Sequence, residues 1–306
     1  MLLFAADIAK ADFTSFDGKN DLLICNDGPA IDKYVQALPK GAILALEPTS
    51  TYSDLIATKA YEAGHTVYMV QPSWIKAYRK SKKGRAKTDR IDARLIHEYV
   101  LDNIKGLHPW RPLDTRLAEL KELVRQRFAA ADSLARDRQT YRSLKLDPRL
   151  MIPMLRAHED LKKELDKRIA KALKQFPEVK VLLGIKGIGN LIAATILVPL
   201  LHFEFKSVDS FIGFIGIDPV PQDSGDKKSI RRISKKGDSY LRRAFFMAAF
   251  GASRNDVWKP RYEQLKGKGL KPKQALIALA KKIATTAFHI FRMQVDFDPA
   301  MVALKN

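Results

Sequence analysis

Residues 42–70 read AILALEPTSTYSDLIATKAYEAGHTVYMV. The apolar run Ala42–Glu47 has the length and composition of a buried strand, and Pro48 follows it. Ser53–Glu62 changes to helical spacing and ends at Gly64. His65–Val70 is a second apolar run, closed by Pro72. Strand, helix and strand in this succession place the segment in an α/β domain.

Working outward, the same alternation fills residues 1–100. Leu2–Ile8 is a short apolar run. Asp12–Phe16 and Leu22–Asn26 flank the turn Asp17-Gly18-Lys19-Asn20, which is hairpin chemistry. Ile31–Leu38 has helical spacing and stops at Pro39, and a further helix covers Ile91–Val100. The order is strand, strand, strand, helix, strand, helix, strand, helix, as in ribonuclease H-like folds, though other α/β folds come close. From about Leu113 to Phe176 the pattern changes to long helices rich in Lys, Arg, Glu and Leu. Leu117, Leu120, Leu123 and Val124 keep one apolar stripe, and Leu161, Leu165, Ile169 and Leu173 another. Asp147-Pro148 and Pro153 mark a break between them, so a helical hairpin, a coiled-coil arm or a plain connector fits. Beyond Val179 the chain is compact, mainly helical and punctuated by glycines. The expected architecture is α/β plus mostly α, with domains at 1–112 and 178–306 and a helical connector at 113–177.

The 306 residues contain 54 Lys plus Arg against 34 Asp plus Glu, a formal charge of +20. That excess favours a polyanion, because neutralised phosphates release condensed counterions. A membrane surface is the competing polyanion, but no basic amphipathic stretch carries an apolar anchor face. The apolar start Met1–Ala6 lacks a basic leader and is interrupted by Asp7, so it reads as a strand and not a signal peptide. The expected location is cytoplasmic and nucleoid-associated, with no membrane partner. Cys25 is the only cysteine. It excludes an intrachain disulfide and any multi-thiolate zinc site, and its strand-like setting predicts a buried small hydrophobe. The six histidines show no ligand spacing.

Four carboxylates stand out. Asp7 ends the first strand and Glu47 the fourth, and Asp89 and Asp92 sit three residues apart at a helix start, on one face. All-oxygen donor sets suit Mg²⁺, which binds carboxylates and keeps several waters. Taken singly each has an ordinary explanation. Asp7 is also a turn capper, Glu47 a solvated strand end, and Asp89 and Asp92 partners for Arg90 and Arg94 in surface ion pairs. Their joint occurrence in this topological order is what points to a metal site. Nine Lys or Arg lie between Lys76 and Arg94. Among them Lys80, Lys82, Lys83, Arg85, Lys87 and Arg90 are candidates for holding a nucleic-acid backbone, with Trp74 and Tyr78 available for stacking. Gly184–Gly189 reads either as a tight turn or as a turn whose backbone N–H groups hold a phosphate. In the segment around Ser224-Gly225, the cations Lys227, Lys228, Arg231, Arg232, Lys235, Lys236, Arg242 and Arg243 form a second candidate nucleic-acid surface. A serine hydroxyl there needs activation to act as a nucleophile, and Ser224, Ser229 and Ser234 are all available.

The segments Asp7-Ile8-Ala9-Lys10, Glu47-Pro48-Thr49-Ser50-Thr51-Tyr52 and Lys87-Thr88-Asp89-Arg90-Ile91-Asp92-Ala93-Arg94 resemble the signature blocks of the insertion-sequence-110 family, the DEDD transposases. Piv-type DNA invertases are relatives of that family. Gly184–Gly189, Phe214-Ile215-Gly216-Ile217-Asp218-Pro219, Asp223-Ser224-Gly225 and Arg232-Ile233-Ser234-Lys235-Lys236-Gly237 follow in the family's order. The resemblance implies a RuvC-like first domain in which Asp7, Glu47, Asp89 and Asp92 bind Mg²⁺. It also implies a second domain whose nucleophile is Ser224. The implied reaction is strand exchange on donor and target DNA through a covalent phosphoserine intermediate. The chain would act as a homo-oligomer, dimer or tetramer, with a structured guide RNA from the element's own end. A hydrolytic RuvC-like nuclease or junction resolvase is the alternative, and a non-catalytic nucleic-acid-binding protein is a third class.

Overall fold

The computed structural model describes residues 2–49, 52–82, 89–220 and 232–302, with the side chains of residues 89, 90 and 220 excepted. Two compact units emerge, Met1–Pro112 and Leu113–Asn306.

The first unit begins with β1 (Leu3–Ile8), β2 (Asp12–Phe16) and β3 (Asp21–Cys25), followed by α1 (Gly28–Ala37), β4 (Ile43–Leu46), α2 (Asp54–Glu62) and β5 (Thr66–Met69). Two helices complete it, α3 (Pro72–Ser81) and α4 (Asp89–Asn103). The sheet order is β3-β2-β1-β4-β5, antiparallel from β3 to β1 and parallel from β1 to β5. This mixed sheet is compatible with a ribonuclease H-like domain. The β2–β3 turn is closed by Asp17, whose carboxylate accepts from the backbone N–H groups of Lys19 and Asn20 at 2.8 and 2.7 Å, with Gly18 at φ +97°. Those two backbone donors hold the Asp17 carboxyl below its ordinary range.

Strand periodicity sorts the core. Ala6, Ile8, Leu44 and Leu46 face α1 and α2, packing with Ile31, Val35, Ile56 and Ala60. The alternate residues Leu3, Ala5 and Ala45 face the other way, onto Ile75 of α3 and Leu95, Ile96 and Val100 of α4. One helix here is not foreshadowed by the apolar runs, and one expectation changes. The basic run after Pro72 begins as a ten-residue helix, α3, because Ile75 anchors it to the sheet. Cys25 is exposed, since β3 is an edge strand whose residues Leu22, Leu23 and Cys25 face outward.

His97 of α4 meets the ring of Phe16 edge-on at 5.2 Å and hydrogen-bonds the Leu3 backbone. Burial pushes its pKa below the ordinary 6.5, against the opposing pull of the Leu3 bond and nearby acids. The unfolded chain therefore takes up this proton at a higher pH than the folded one. Stability is full above 6.5 and declines as pH falls from 6.5 through the depressed folded value. His97→Gln is expected to flatten that decline, read as the shift in urea midpoint between about pH 7.5 and about pH 5.5. Identical shifts in both proteins would assign the slope to other groups.

The second unit starts with α5 (Thr115–Leu144) and α6 (Pro148–Leu173), which run antiparallel, bridged by Arg127–Asp166 and Arg138–Glu159. Asp147 caps α6 and Pro148 opens it, while Pro153 lies inside the helix and does not end it. Then come α7 (Val179–Leu183), α8 (Asn190–His202), α9 (Val208–Ile215), the two-stranded ribbon β6 (Pro219–Val220) and β7 (Arg232–Ile233), α10 (Ser239–Ala252), α11 (Lys259–Gly267) and α12 (Pro272–Met293). Leu117, Leu120, Val124 and Phe128 of α5 and Ile169 and Leu173 of α6 share one core with α7 to α12. Between residues 135 and 164 nothing is buried. No described helix is long and apolar enough to cross a membrane.

Candidate active site

Parallel pairing of β1 and β4 holds one offset throughout, from Leu3 opposite Ile43 to Ala6 opposite Leu46. Carried one residue further, that register sets Glu47 beside Asp7 at the ends of neighbouring strands. Side chains alternate along a strand, so Asp7 continues the face of Leu3 and Ala5, and Glu47 that of Ile43 and Ala45. Both carboxylates thus stand on the sheet face covered by α4. The loops behind them are tied together, because the Asn26 amide donates to the carbonyls of Ala9 at 2.8 Å and Tyr52 at 3.3 Å.

Helix α4 runs back toward those strand ends. His97 sits at the level of Leu3, and Arg94 already reaches Asp21 and the ring of Phe16, which pairs with Ala5. From His97 to Asp89 is about 12 Å of helix, and from Leu3 to Asp7 about 13 Å of strand. The backbone at the start of α4 is therefore level with Asp7. Asp92 belongs to the buried stripe of α4 with Leu95 and Ile96, and only 6% of its surface is exposed. Its Oδ1 accepts from Nη2 of Arg79 on α3. Sequence reading missed Arg79, although its spacing four residues after buried Ile75 placed it on the inner face of α3.

Among the described residues no three His, Cys, Asp or Glu side chains converge closely enough to hold a metal ion. The side chain of Asp89 lies outside the described residues. Asp7, Glu47 and Asp92 nevertheless supply only carboxylate oxygens, and that donor chemistry fits a hard cation such as Mg²⁺.

The basic candidates are distributed unequally. Lys80 and Lys82 are exposed on and just after α3, and Lys82 also lies 5.1 Å over the Tyr78 ring and 3.6 Å from Glu98. Trp74 is exposed and stacks on Tyr99. Lys83, Arg85, Lys87, Lys227, Lys228, Arg231 and the nucleophile candidates Ser224 and Ser229 lie outside the described residues, as does the side chain of Arg90. Arg232, Lys235 and Lys236 are exposed. Arg242 donates to the carbonyls of Ile215 at 3.2 Å and Gly237 at 2.7 Å, while Arg243 pairs with Asp132 and lies over Phe128. Those two guanidiniums join elements of their own unit.

The ribbon β6–β7 brackets residues 221–231, and its base is firmly built. Backbone N–H groups of Ser234 and Lys235 donate to the carbonyls of Asp218 at 3.0 Å and Gly216 at 3.1 Å. The hydroxyl of Ser234 donates to the Asp218 carboxylate, so this rival hydroxyl is engaged within the base. Gly216, at φ +76°, and Gly237 touch backbone to backbone there. In the Gly184–Gly189 turn, Gly187 has φ +104° and packs against Ala248 and Ala252 of α10, whereas Gly189 opens α8 beside empty space.

Acidic strand ends under an acidic helix start, in a chain of formal charge +20, fit an enzyme acting on nucleic-acid phosphates. Sequence comparison sharpens that class. A family model described as Transposase matches residues 25–147, and one described as Transposase IS116/IS110/IS902 family matches residues 179–263. The pilin gene-inverting protein of Moraxella bovis is 29% identical over 266 residues, which take in 83% of this chain and 81% of that protein. A probable family 20 transposase of Pseudomonas aeruginosa is 24% identical, over 61% of this chain and 64% of its own. An insertion element IS110 protein of Streptomyces coelicolor is 25% identical, over 51% and 39%. The chain is a DNA transposase/recombinase. It belongs to the IS116/IS110/IS902 family of transposases and is related to the gene-inverting proteins.

Proposed function

We propose that the protein is a site-specific recombinase of an insertion sequence that cuts and exchanges DNA strands through a covalent phosphoserine intermediate. The observation that carries this reading is the β1–β4 register up to Ala6 opposite Leu46, whose continuation by one residue sets Asp7 beside Glu47. In this reading residues 1–112 form a RuvC-like domain, and Asp7, Glu47, Asp89 and Asp92 hold Mg²⁺. The bound ion would supply charge neutralisation at the reacting phosphate and lower the pKa of a coordinated hydroxyl or water. Residues 178–306 supply Ser224 as nucleophile, and residues 113–177 form a helical arm.

Ser224 loses its hydroxyl proton as Oγ bonds to the phosphorus of a DNA phosphodiester. The bond from phosphorus to one sugar oxygen breaks, and that oxygen leaves as a hydroxyl. The strand end stays attached to the serine, so a second hydroxyl can reverse the step on another strand without any external energy source. Exposed Lys80, Lys82, Arg232, Lys235 and Lys236 hold phosphates, together with Lys83, Arg85, Lys87, Arg90, Lys227, Lys228 and Arg231. The working form is a homo-oligomer on donor and target DNA in the cytoplasm, at the nucleoid. A structured guide RNA directs it, as an RNA that co-purifies from the host and maps to the element's own end would show.

A suicide substrate that traps the attached state tests the chemistry. Covalent protein–DNA adducts are expected from the wild type and none from Ser224→Ala or Asp7→Ala. Cleaved but unattached DNA, with Ser224→Ala as active as the wild type, would instead identify a hydrolytic nuclease or junction resolvase. A mobility shift with no strand breaks in any variant would leave only a binding protein.

A further inference from the structure

The cation beside Asp92 in this structure is a side chain. We infer that Arg79 is a built-in stand-in for the metal ion at Asp92, holding the buried carboxylate in place until a divalent cation displaces it. The inference rests on the reading of Asp92 as a metal ligand.

A buried carboxylate demands a counter-charge, and here α3 supplies one from its last turn. Two of the structural bridges of the same chain are forks, and the single-contact bridges Arg138–Glu159 and Arg243–Asp132 are far more exposed than Arg79–Asp92. Arg94 grips Asp21 with two atoms, Nε to Oδ1 at 3.2 Å and Nη2 to Oδ2 at 2.5 Å. Arg127 grips Asp166 in the same way, at 2.8 and 3.1 Å. Such forks are the strong form of an arginine–carboxylate pair. Among the described residues Arg79 reaches Asp92 through Nη2 and Oδ1 alone, and its buried Nε has no hydrogen-bond partner there. An unpaired buried donor raises the energy of the bridged state, because the group has lost water and gained nothing. The pair therefore combines a full charge match with incomplete hydrogen bonding, which suits a contact that is exchanged. Neighbouring contacts keep α3 in reach after exchange. Tyr78 donates to Asp102, and Trp74 and Tyr78 pack on Tyr99 of α4.

Mn²⁺ binding to the full chain without nucleic acid, followed by the electron paramagnetic resonance of the free ion, tests the exchange. Thermal unfolding in chelator and in Mg²⁺ gives a readout independent of activity. The wild type is expected to bind Mn²⁺, Asp92→Asn to bind it more weakly, and Arg79→Gln to bind it on the order of tenfold more tightly, as fits one lost charge-assisted competitor. Arg79→Gln should melt below the wild type in chelator, with the gap closing as Mg²⁺ is added. Hydrogen exchange of the wild type removes dependence on any variant's folding. Metal should speed exchange at the last turn of α3 while slowing it at the start of α4. Mn²⁺ binding by Arg79→Gln that equals the wild type or falls below it would overturn the inference, as would joint protection of α3 and α4 by metal. Equal binding by the wild type and Asp92→Asn is a separate outcome, which would remove the metal reading itself and this inference with it.

Discussion

Asp7→Asn is expected to abolish DNA strand cleavage, by about 10³-fold or more, while the first unit stays folded and still binds DNA. Asparagine preserves the size of the side chain and removes only its charge. Around it, β1 is held by hydrogen-bonded strands on both sides and by Ala5, Ala6 and Ile8, all buried. The packing therefore has no reason to change, and the loss falls on whatever the carboxylate does at the end of the strand. Glu47→Gln should behave alike, and the double variant should be hardly worse than either single one, because residues acting as a unit are not additive. Cleavage of a labelled substrate, circular dichroism and a mobility shift give the three readings. Cleavage within about tenfold of the wild type would detach Asp7 from the chemistry.

Gly237→Ala is expected to be the most damaging small substitution in the second unit. A methyl group on Gly237 would collide with the carbonyl oxygen of Phe214 and lie 2.7 Å from the carbonyl carbons of Phe214 and Ile215. Those atoms are the backbone of α9, which has no side-chain rotamer with which to yield. Across the contact, Gly216 has φ +76°, and a methyl group there would meet the Gly237 nitrogen at 2.7 Å. Overpacking of this kind costs about 3 kcal/mol or more, and the base of the ribbon must open to relieve it. Gly251→Ala is the matched control. It lies in α10 with nothing within 4 Å, so the helix should gain up to about 1 kcal/mol. Equal urea midpoints for the two variants would contradict the backbone contact.

Much of the first unit could be read from apolar runs alone. Ala42–Glu47 and His65–Val70 are continuous because their strands are covered on both faces by helices, and such runs announce themselves. Asp7 lies near the end of the run Leu2–Ile8 and Glu47 ends Ala42–Glu47, so the places of these two carboxylates were legible with the strands. Arg79 was not, because among nine closely spaced lysines and arginines only its helical spacing from Ile75 marks it as inward-facing. Cys25 was misjudged because composition does not distinguish an edge strand from a central one. The glycine contact at Gly216 and Gly237 joins residues twenty-one positions apart, and spacing along a chain carries no sign of two backbones touching.

The long pair α5 and α6 bears on how such chains diversify. Since nothing between residues 135 and 164 is buried, neither core sets the length of that stretch. Adding or deleting seven residues in each helix would move the tip by about 10 Å and keep the facing stripes in phase. The pair is therefore a molecular ruler whose reach can be reset in steps without touching a buried side chain.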